Sequence, residues 1–283
     1  MANIQDKKNL SANLGKYATY LILILFTILA IYPILWLFIN SFKTTTEFQT
    51  NKLGLPEAFA VINYKDAWVR GQFPILIMNS VIYTGITTVS IVILSFMGAF
   101  GFAKIANKAT KWIHGSYIIG ILMTLQSIMI PLFLIINWSG LYNTRLGVLI
   151  PYIGIGLPMG IYLGTEYIRS IPDALIESAR IDGAKYFKIF FAIIIPMAQP
   201  VAVTLAILTV SGTWNEFMLI NILTSTDALK SLPVGIQKFA GALSVDYGKQ
   251  FAALVIGLIP MLVFYVVFRK EITKGVSAGA VKG

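Results

Sequence analysis

The sequence predicts an all-α membrane protein with six transmembrane helices, and three observations carry that expectation. The 283 residues are 57% hydrophobic and only 12% charged, with mean hydropathy +0.78, more apolar surface than a soluble domain of this size needs. Six apolar runs each reach the ~17–25 residues with which a helix crosses a bilayer. The charged residues gather in the connections between those runs.

The first run, Tyr17–Ile39, follows a polar start bearing Lys7, Lys8 and Lys16. It exceeds the ~7–15-residue core of a secretory signal, and no convincing small-residue cleavage site follows it, so a span is expected. Asn40–Phe73 is a polar connection, and Pro74–Ala103 is the second span. Lys104–Lys111 is a short connection with three lysines and no acid. The third span, Trp112–Ile136, is expected to be interrupted at Pro131. After Asn137–Arg145 comes the fourth, Leu146–Thr165, where Gly156, Gly160 and Gly164 form a smooth stripe for close helix contact in preference to plain flexibility. The fifth, Met197–Ile220, contains Trp214, Asn215 and Glu216. Asn221–Gln250 is polar again, Phe251–Phe268 is the sixth span, and Arg269–Gly283 is a basic tail.

Six spans put both termini on one side. Lys7, Lys8 and Lys16, the Lys104–Lys111 connection, Arg169, Arg180, Lys185 and Lys188, and the tail all fall there, which accounts for most of the 22 Lys and Arg. Positive residues collect on the cytoplasmic face, so cytoplasmic N- and C-termini are expected. The net charge of +10 is thus an orientation signal with some attraction to anionic lipid, and no nucleic-acid partner is called for. With no cysteine, disulfides and thiolate metal sites are excluded, and one histidine, His114, makes no metal site alone. His114 and Gln126 are read as packing residues.

The connection Ser170–Pro196 stands apart. Ser170 and Asp173 read as a capping box, with Pro172 in the first turn. Ile171, Ala174, Leu175, Ser178 and Ala179 fall on one small apolar face, and Asp173, Glu177 and Arg180 on another. Gly183 provides a helix end, and a second helical pattern through Phe187, Phe190, Phe191 and Ile194 is expected to close at Pro196. Two short helices joined by a glycine form a knob suited to a partner's cleft. The alternative is a helix lying on lipid headgroups.

This stretch resembles the EAA loop of binding-protein-dependent ABC importer permeases, whose pattern is Glu-Ala-Ala, three residues, Gly, nine residues and Ile-x-Leu-Pro. The matching residues are Glu177, Ser178, Ala179, Gly183, Ile193, Ile195 and Pro196, with Ser for the first Ala and Ile for the Leu. Ser170–Ala184 looks like the carbohydrate branch, the second permease of maltose-type importers. Gly140-Leu141-Tyr142-Asn143-Thr144, Trp214-Asn215-Glu216-Phe217 and the Gly275–Gly283 tail resemble further segments of that subunit. Together these cover about residues 74–283.

The resemblance implies the type I importer transmembrane fold, with 1–73 as an N-terminal segment, first span and first outer loop. Residues 74–268 would form the five-helix core carrying the EAA loop 170–196, and 269–283 a cytoplasmic tail. It implies a multi-pass permease in a bacterial or archaeal cytoplasmic membrane, forming half of a sugar pathway, an oligosaccharide in the first instance. Its partners would be a second permease chain, two ATPase subunits, an extracytoplasmic sugar-binding protein, the bilayer and the sugar. The ATPases would dock on Ala174, Leu175, Glu177, Ser178, Ala179, Arg180, Asp182, Gly183 and Pro196. The chain has no GxxxxGK[ST] loop, so it is not expected to be an enzyme and needs no cofactor; ATP and Mg belong to the partner ATPase. Trp214, Asn215 and Glu216 read equally as sugar-pathway residues or as a helix–helix contact within or between permease chains. An ion-coupled secondary transporter or channel is the competing class, for which Glu216 is the only ionisable group well inside a span.

Overall fold

The computed structural model describes residues 2–105, 108–240 and 245–280, with backbone alone for 2–14, 108–109, 240 and 274–280. The described residues form helices α1 (Ala2–Asn40), α2 (Thr45–Thr50), α3 (Ile62–Arg70), α4 (Phe73–Lys104), α5 (Lys108–Ile121), α6 (Leu125–Trp138) and α7 (Arg145–Arg169). There follow α8 (Asp173–Ile181), α9 (Tyr186–Ile189), α10 (Ile195–Asn215), α11 (Met218–Leu223), α12 (Leu232–Gln237) and α13 (Tyr247–Ala280). Among the described residues there is no strand. Among the described residues five helices are long and apolar enough to cross a membrane, or six if the bent pair Thr110–Ile121 and Leu125–Trp138 counts as one span.

The chain divides into two compact units, residues 1–71 with 239–258 and residues 72–238 with 259–283. In the first unit, α1 continues the helix through the polar start, and none of its apolar window is buried. The connection after it is ordered by polar bonds. Thr44 caps α2 by accepting the Glu47 N–H, and Asn63 Nδ2 donates to the carbonyls of Ser41 and Lys43. Lys43, fully buried, donates to Asn51 O at 2.7 Å. Asp246 accepts from Thr45 Oγ1 and pairs with Lys249, which also reaches Asp66.

The second unit is centred on α4, α7 and α10. In an apolar solvent, burying leucine gains nothing, so helices associate through close van der Waals fit. The glycine stripe of α7 supplies that fit. A Cβ on Gly156 would strike Ile91, one on Gly160 would strike Ser95, and one on Gly164 would sit 2.8 Å from the Ala99 Cβ. The stripe is therefore a packing surface against α4.

The third span breaks elsewhere than expected. Pro131 lies inside α6 without ending it, whereas the chain turns by 109° at Leu122–Thr124, where the Leu122 and Met123 N–H groups bond back to Ile119 and Gly120. A proline inside a membrane helix loses one hydrogen bond and crowds the carbonyl a turn back, and local backbone adjustment and neighbouring helices absorb both. Thr124, extended at φ −76° and ψ 144°, starts the new axis.

Pro196 likewise does not close its helix. Tyr186–Asn215 runs on as one span through a π-helical turn at Phe190–Ile194, where the Ile195 N–H bonds to Phe190 O. The wider turn makes room for the proline ring just after it. The tail continues α13 helically to Ala280. The side chains beyond Thr273, and Val281, Lys282 and Gly283, on which the tail resemblance rests, lie outside the described residues.

Candidate functional site

The knob between α7 and α10 is built from its buried side outward. Ile171, Ile176, Ile189, Phe190 and Ile194 are buried in one cluster with Phe96, Ala99 and Phe100 of α4 and Ile168 of α7. This differs from the apolar face read from spacing: Ile176 is the helix's buried residue, while Ala174, Leu175 and Ser178 are exposed and Ala179 is half-buried. Nor does Ser170 form a capping box. Its Oγ donates back to Tyr167 O, Pro172 occupies the N-cap position without a side-chain bond, and Asp173 is taken by Lys104.

The end of α8 is set by Gly183, whose φ of +79° is left-handed. Its N–H bonds to Arg180 O and the Ala184 N–H bonds to Ala179 O, which is the Schellman arrangement. Ala179 and Ala184 both pack on the buried cluster, so the turn is fixed from below. Above it, Arg180 lies over the Tyr186 ring at 5.4 Å. Arg180, Ala184, Lys185, Tyr186 and Phe187 line a recess of about 450 Å³. Around this recess Ile181 is 87% exposed and Phe187 68%. Glu177, Asp182, Lys185 and Lys188 form no ion pair among the described residues. A rooted, left-handed turn carrying unpaired charges of both signs beside exposed apolar side chains can engage a cleft chemically complementary to it.

Of the residues expected at this knob, Ala174, Leu175, Glu177, Ser178, Ala179, Arg180, Asp182 and Gly183 fall together on it. Pro196 does not; it lies one helical stretch further on, exposed in α10.

Trp214, Asn215 and Glu216 do not converge either. Helix α10 ends at Asn215, so Glu216 sits in a break and not within a span, with extended backbone at φ −72° and ψ 129°. Its carboxylate accepts from the Leu219 N–H at 2.7 Å and the Ile220 N–H at 3.3 Å, capping α11, and accepts the Tyr152 hydroxyl of α7. Asn215 is exposed and donates to Ser211 O on its own helix. Trp214 is buried and faces a groove with Pro260, Phe264 and Phe268. Glu216 and Tyr152 also border a cavity of about 290 Å³ whose other walls are mainly Ile91, Met159, Leu205 and Leu208. His114 is buried against the Phe102 ring at 5.3 Å, and no cluster of metal-ligating groups occurs among the described residues.

Sequence reasoning missed Lys104, Tyr152 and Asn79. Lys104 donates to Ile171 O at 2.6 Å and Asp173 Oδ1 at 2.7 Å with its side chain 6% exposed. Asn79 bonds to the carbonyls of Ala228 and Lys230 and accepts from Arg145. A polar residue in an otherwise apolar helix was the available signal for Asn79, and a lysine at a span's end for Lys104.

These features define a helical, multi-pass membrane protein with a loop of short helices between α7 and α10. The binding-protein-dependent transport system inner membrane component family matches residues 104–269, and over 280 residues the chain is 33% identical to the probable ABC transporter permease protein YurM of Bacillus subtilis. That match covers 99% of this chain and 93% of the relative. The chain therefore belongs to this family, as a carbohydrate ABC importer permease. It is also 34% identical over 256 residues to the trehalose transport system permease protein SugB of Mycobacterium tuberculosis, covering 90% of this chain and 93% of that one. Its fold is similar to a chain of a bacterial ABC transporter involved in the import of the acidic polysaccharide alginate. The TM-score is 0.81 at 23% identity, covering 92% and 97% of the two chains.

Proposed function

We propose that this chain is half of the membrane pathway of an ATP-driven, binding-protein-dependent oligosaccharide importer, moved by a separate ATPase that grips the Ser170–Ala184 knob. The observation that carries this reading is the knob itself. Its inner side is rooted in the α4, α7 and α10 core, while its outer side leaves Ile181 and Phe187 in the open next to unpaired Glu177 and Asp182. An apolar side chain left in water forgoes ~1.5–3 kcal/mol of burial, which a partner's cleft would recover.

In this reading the chain crosses the membrane six times, the bent α5–α6 pair forming the third crossing, with both termini cytoplasmic. Residues 1–73, 74–268 and 269–283 are its entry segment, core and tail. ATP and Mg reside on two ATPase subunits, and a second permease chain completes the pathway. An extracytoplasmic sugar-binding protein delivers sugar to the outer connections. The membrane is the cytoplasmic membrane of a bacterium or archaeon. Homologues named for trehalose and for multiple sugars support the substrate class. Closure of the ATPases would draw the knobs together and rock the two chains as rigid bodies.

The chain has no cysteine, so single thiols report cleanly. Arg180→Cys should react with an impermeant maleimide from the cytoplasmic side alone, and should cross-link to the ATPase. Labelling from outside the cell overturns the proposal. Uptake that survives ATP depletion while the ion gradient is held would instead favour an ion-coupled carrier.

A further inference from the structure

The connection after α1 is built with polar groups inside and apolar groups outside. Lys43, fully buried, donates to Asn51 O at 2.7 Å. Asn51 Oδ1 accepts the Gly54 N–H at 2.7 Å, and its Nδ2 donates to Leu55 O at 3.3 Å. Glu47 Oε1 accepts the Glu57 N–H at 2.7 Å, so the backbone of this stretch is bonded within the unit. Its exposed side chains are apolar: Leu53 is 78% exposed, Leu55 74% and Phe59 71%, and Val61 and Ile62 follow, each more than half exposed. A connection standing in water turns its apolar residues inward. A segment solvated by lipid must satisfy its backbone internally and leaves apolar side chains outside.

The same stretch lies beside α1 and not beyond its end. Trp36 Nε1, on α1, donates to Lys52 O at 3.0 Å. Trp36 comes one turn before the helix ends at Asn40, about 6 Å at ~1.5 Å per residue, and a helical side chain leans further toward the N-terminus. The Lys52 carbonyl is therefore brought about one turn back along the helix. Phe59 continues this return. Its ring is 5.4 Å from that of Phe42, which is 5.3 Å from that of Phe38 on α1, and the Ala60 N–H bonds to Phe42 O at 2.8 Å. Phe38 is itself exposed, and none of the apolar window of α1 is buried. The apolar patch thus continues the apolar surface of a candidate span.

We propose that residues Asn51–Ile62 form a foot that rests in the outer leaflet of the bilayer, with Leu53, Leu55 and Phe59 among the acyl chains just below the headgroups. The occupant is lipid and not the sugar-binding protein, because reaching Leu53 means passing below the end of a span, where a water-soluble protein does not go. Lys52 and Glu57, the charged residues of the foot, are opposite in sign, so apolar burial holds it and anionic lipid does not. Placing the foot in the outer leaflet rests on the orientation proposed above; its burial in lipid does not. Delivery of sugar then falls to the other two outer connections, Asn137–Arg145 and Asn221–Gln250.

The test uses the full chain, which has no cysteine of its own, in lipid nanodiscs, alone and co-expressed with its second permease and ATPase. Single nitroxide-labelled thiols at Leu53→Cys and Leu55→Cys report the foot, and one at Gln49→Cys, exposed on α2, reports water. All three sites are exposed, so the label displaces no packed neighbour. The readout is collision with dissolved oxygen, which concentrates in lipid, relative to collision with a water-soluble nickel chelate. At both foot sites this ratio is expected several-fold above that at position 49, and equal in neutral and anionic nanodiscs. A ratio no higher than at position 49 overturns the foot, as does a rise seen in anionic nanodiscs alone. Labels shut off from both oxygen and nickel in the co-expressed form mark a contact with the second permease and overturn it too. So does a fall in nickel collision at the foot when the sugar-binding protein is added. Impermeant maleimide that reaches Gln49→Cys from the cytoplasmic side alone overturns the proposed orientation, a failure separate from that of the foot.

Discussion

Glu216→Ala separates a structural carboxylate from a sugar-binding one. In the structure both carboxylate oxygens are committed within the chain, Oε1 to the Leu219 N–H and Oε2 to the Ile220 N–H and the Tyr152 hydroxyl. Truncation removes the cap of α11, which typically costs ~1 kcal/mol. It also leaves the buried Tyr152 hydroxyl without its acceptor, for a further ~1–3 kcal/mol. The expected loss is about 2–4 kcal/mol, weighted to the lower end because hydrogen bonds inside membrane proteins average ~0.6 and reach ~1.7 kcal/mol in double-mutant cycles. Tyr152→Phe should cost ~0.5–1.5 kcal/mol. The pair together should cost less than the sum of the two, because a phenyl ring in place of the phenol leaves no orphaned hydroxyl. Glu216→Gln keeps one acceptor oxygen and should fall between. The assay is reversible unfolding in mixed micelles at increasing SDS fraction, followed by far-ultraviolet circular dichroism, alongside sugar uptake. Unchanged stability of Glu216→Ala with abolished uptake would refute the cap and favour a group that touches sugar.

The glycine stripe predicts that Gly160→Val, whose side chain would meet Ser95 and Leu205, destabilises by at least ~1–3 kcal/mol in the same unfolding assay. Gly154→Ala, with nothing within 4 Å of its Cβ position, should be close to neutral. Gly183→Pro and Glu177→Lys should abolish uptake while membrane fractionation still finds the chain inserted; Gly183→Ala should cost ~1–2 kcal/mol through strain at positive φ. In the connection between α11 and α12, the hydrogen bond from Lys238 holds the Asp227 carboxyl below the usual carboxylate range. A lowered folded pKa contributes stability above the unfolded value and loses it as pH falls through the folded one. Asp227→Asn should therefore destabilise by no more than ~1 kcal/mol at neutral pH, the pair being half-exposed, and by nothing once the pH is well below ~4.

What could be read from the sequence, and what could not, follows from which forces each pattern reports. Hydropathy reports where a helix crosses apolar solvent, and it placed α4 and α7 close to their observed bounds, whereas α1 begins well before Tyr17, the span of α10 runs from Tyr186 and stops at Asn215, and α13 continues past Phe268 to Ala280. It does not report where a helix stops being straight. Pro131 lies inside an unbroken α6, and Pro196 follows a π turn that keeps its helix whole, while the 109° turn at Leu122–Thr124 carries no proline. The residue types of the knob were legible because its turn needs a positive φ at Gly183. Ile171 was legible as an apolar-face residue and is buried, but Ile176 was not, because it is selected by the ends of α4 and α7, which periodicity within α8 cannot see. Glu216 looked like an acid stranded inside a span. It caps the helix whose start ends that span.

The depth at which the knob is rooted has a mechanical reason. A surface helix needs only one apolar stripe to stay folded, and α8, with nine residues, would be marginal alone in water. Here Ile171, Ile176, Ile189, Phe190 and Ile194 all enter the core, and the π turn at Phe190–Ile194 lets two consecutive parts of the second helix reach it. That is more anchoring than stability of nine residues calls for. It is what a grip point requires on the docking reading, because a handle transmits force only if its own attachment is stiffer than the contact made by the hand. Buried roots that interdigitate at crystal-like density provide stiffness, and the Lys104 pin adds a direction along which the pull is taken. A knob held by a single apolar stripe would still fold and dock, but would turn in place when the ATPase moved.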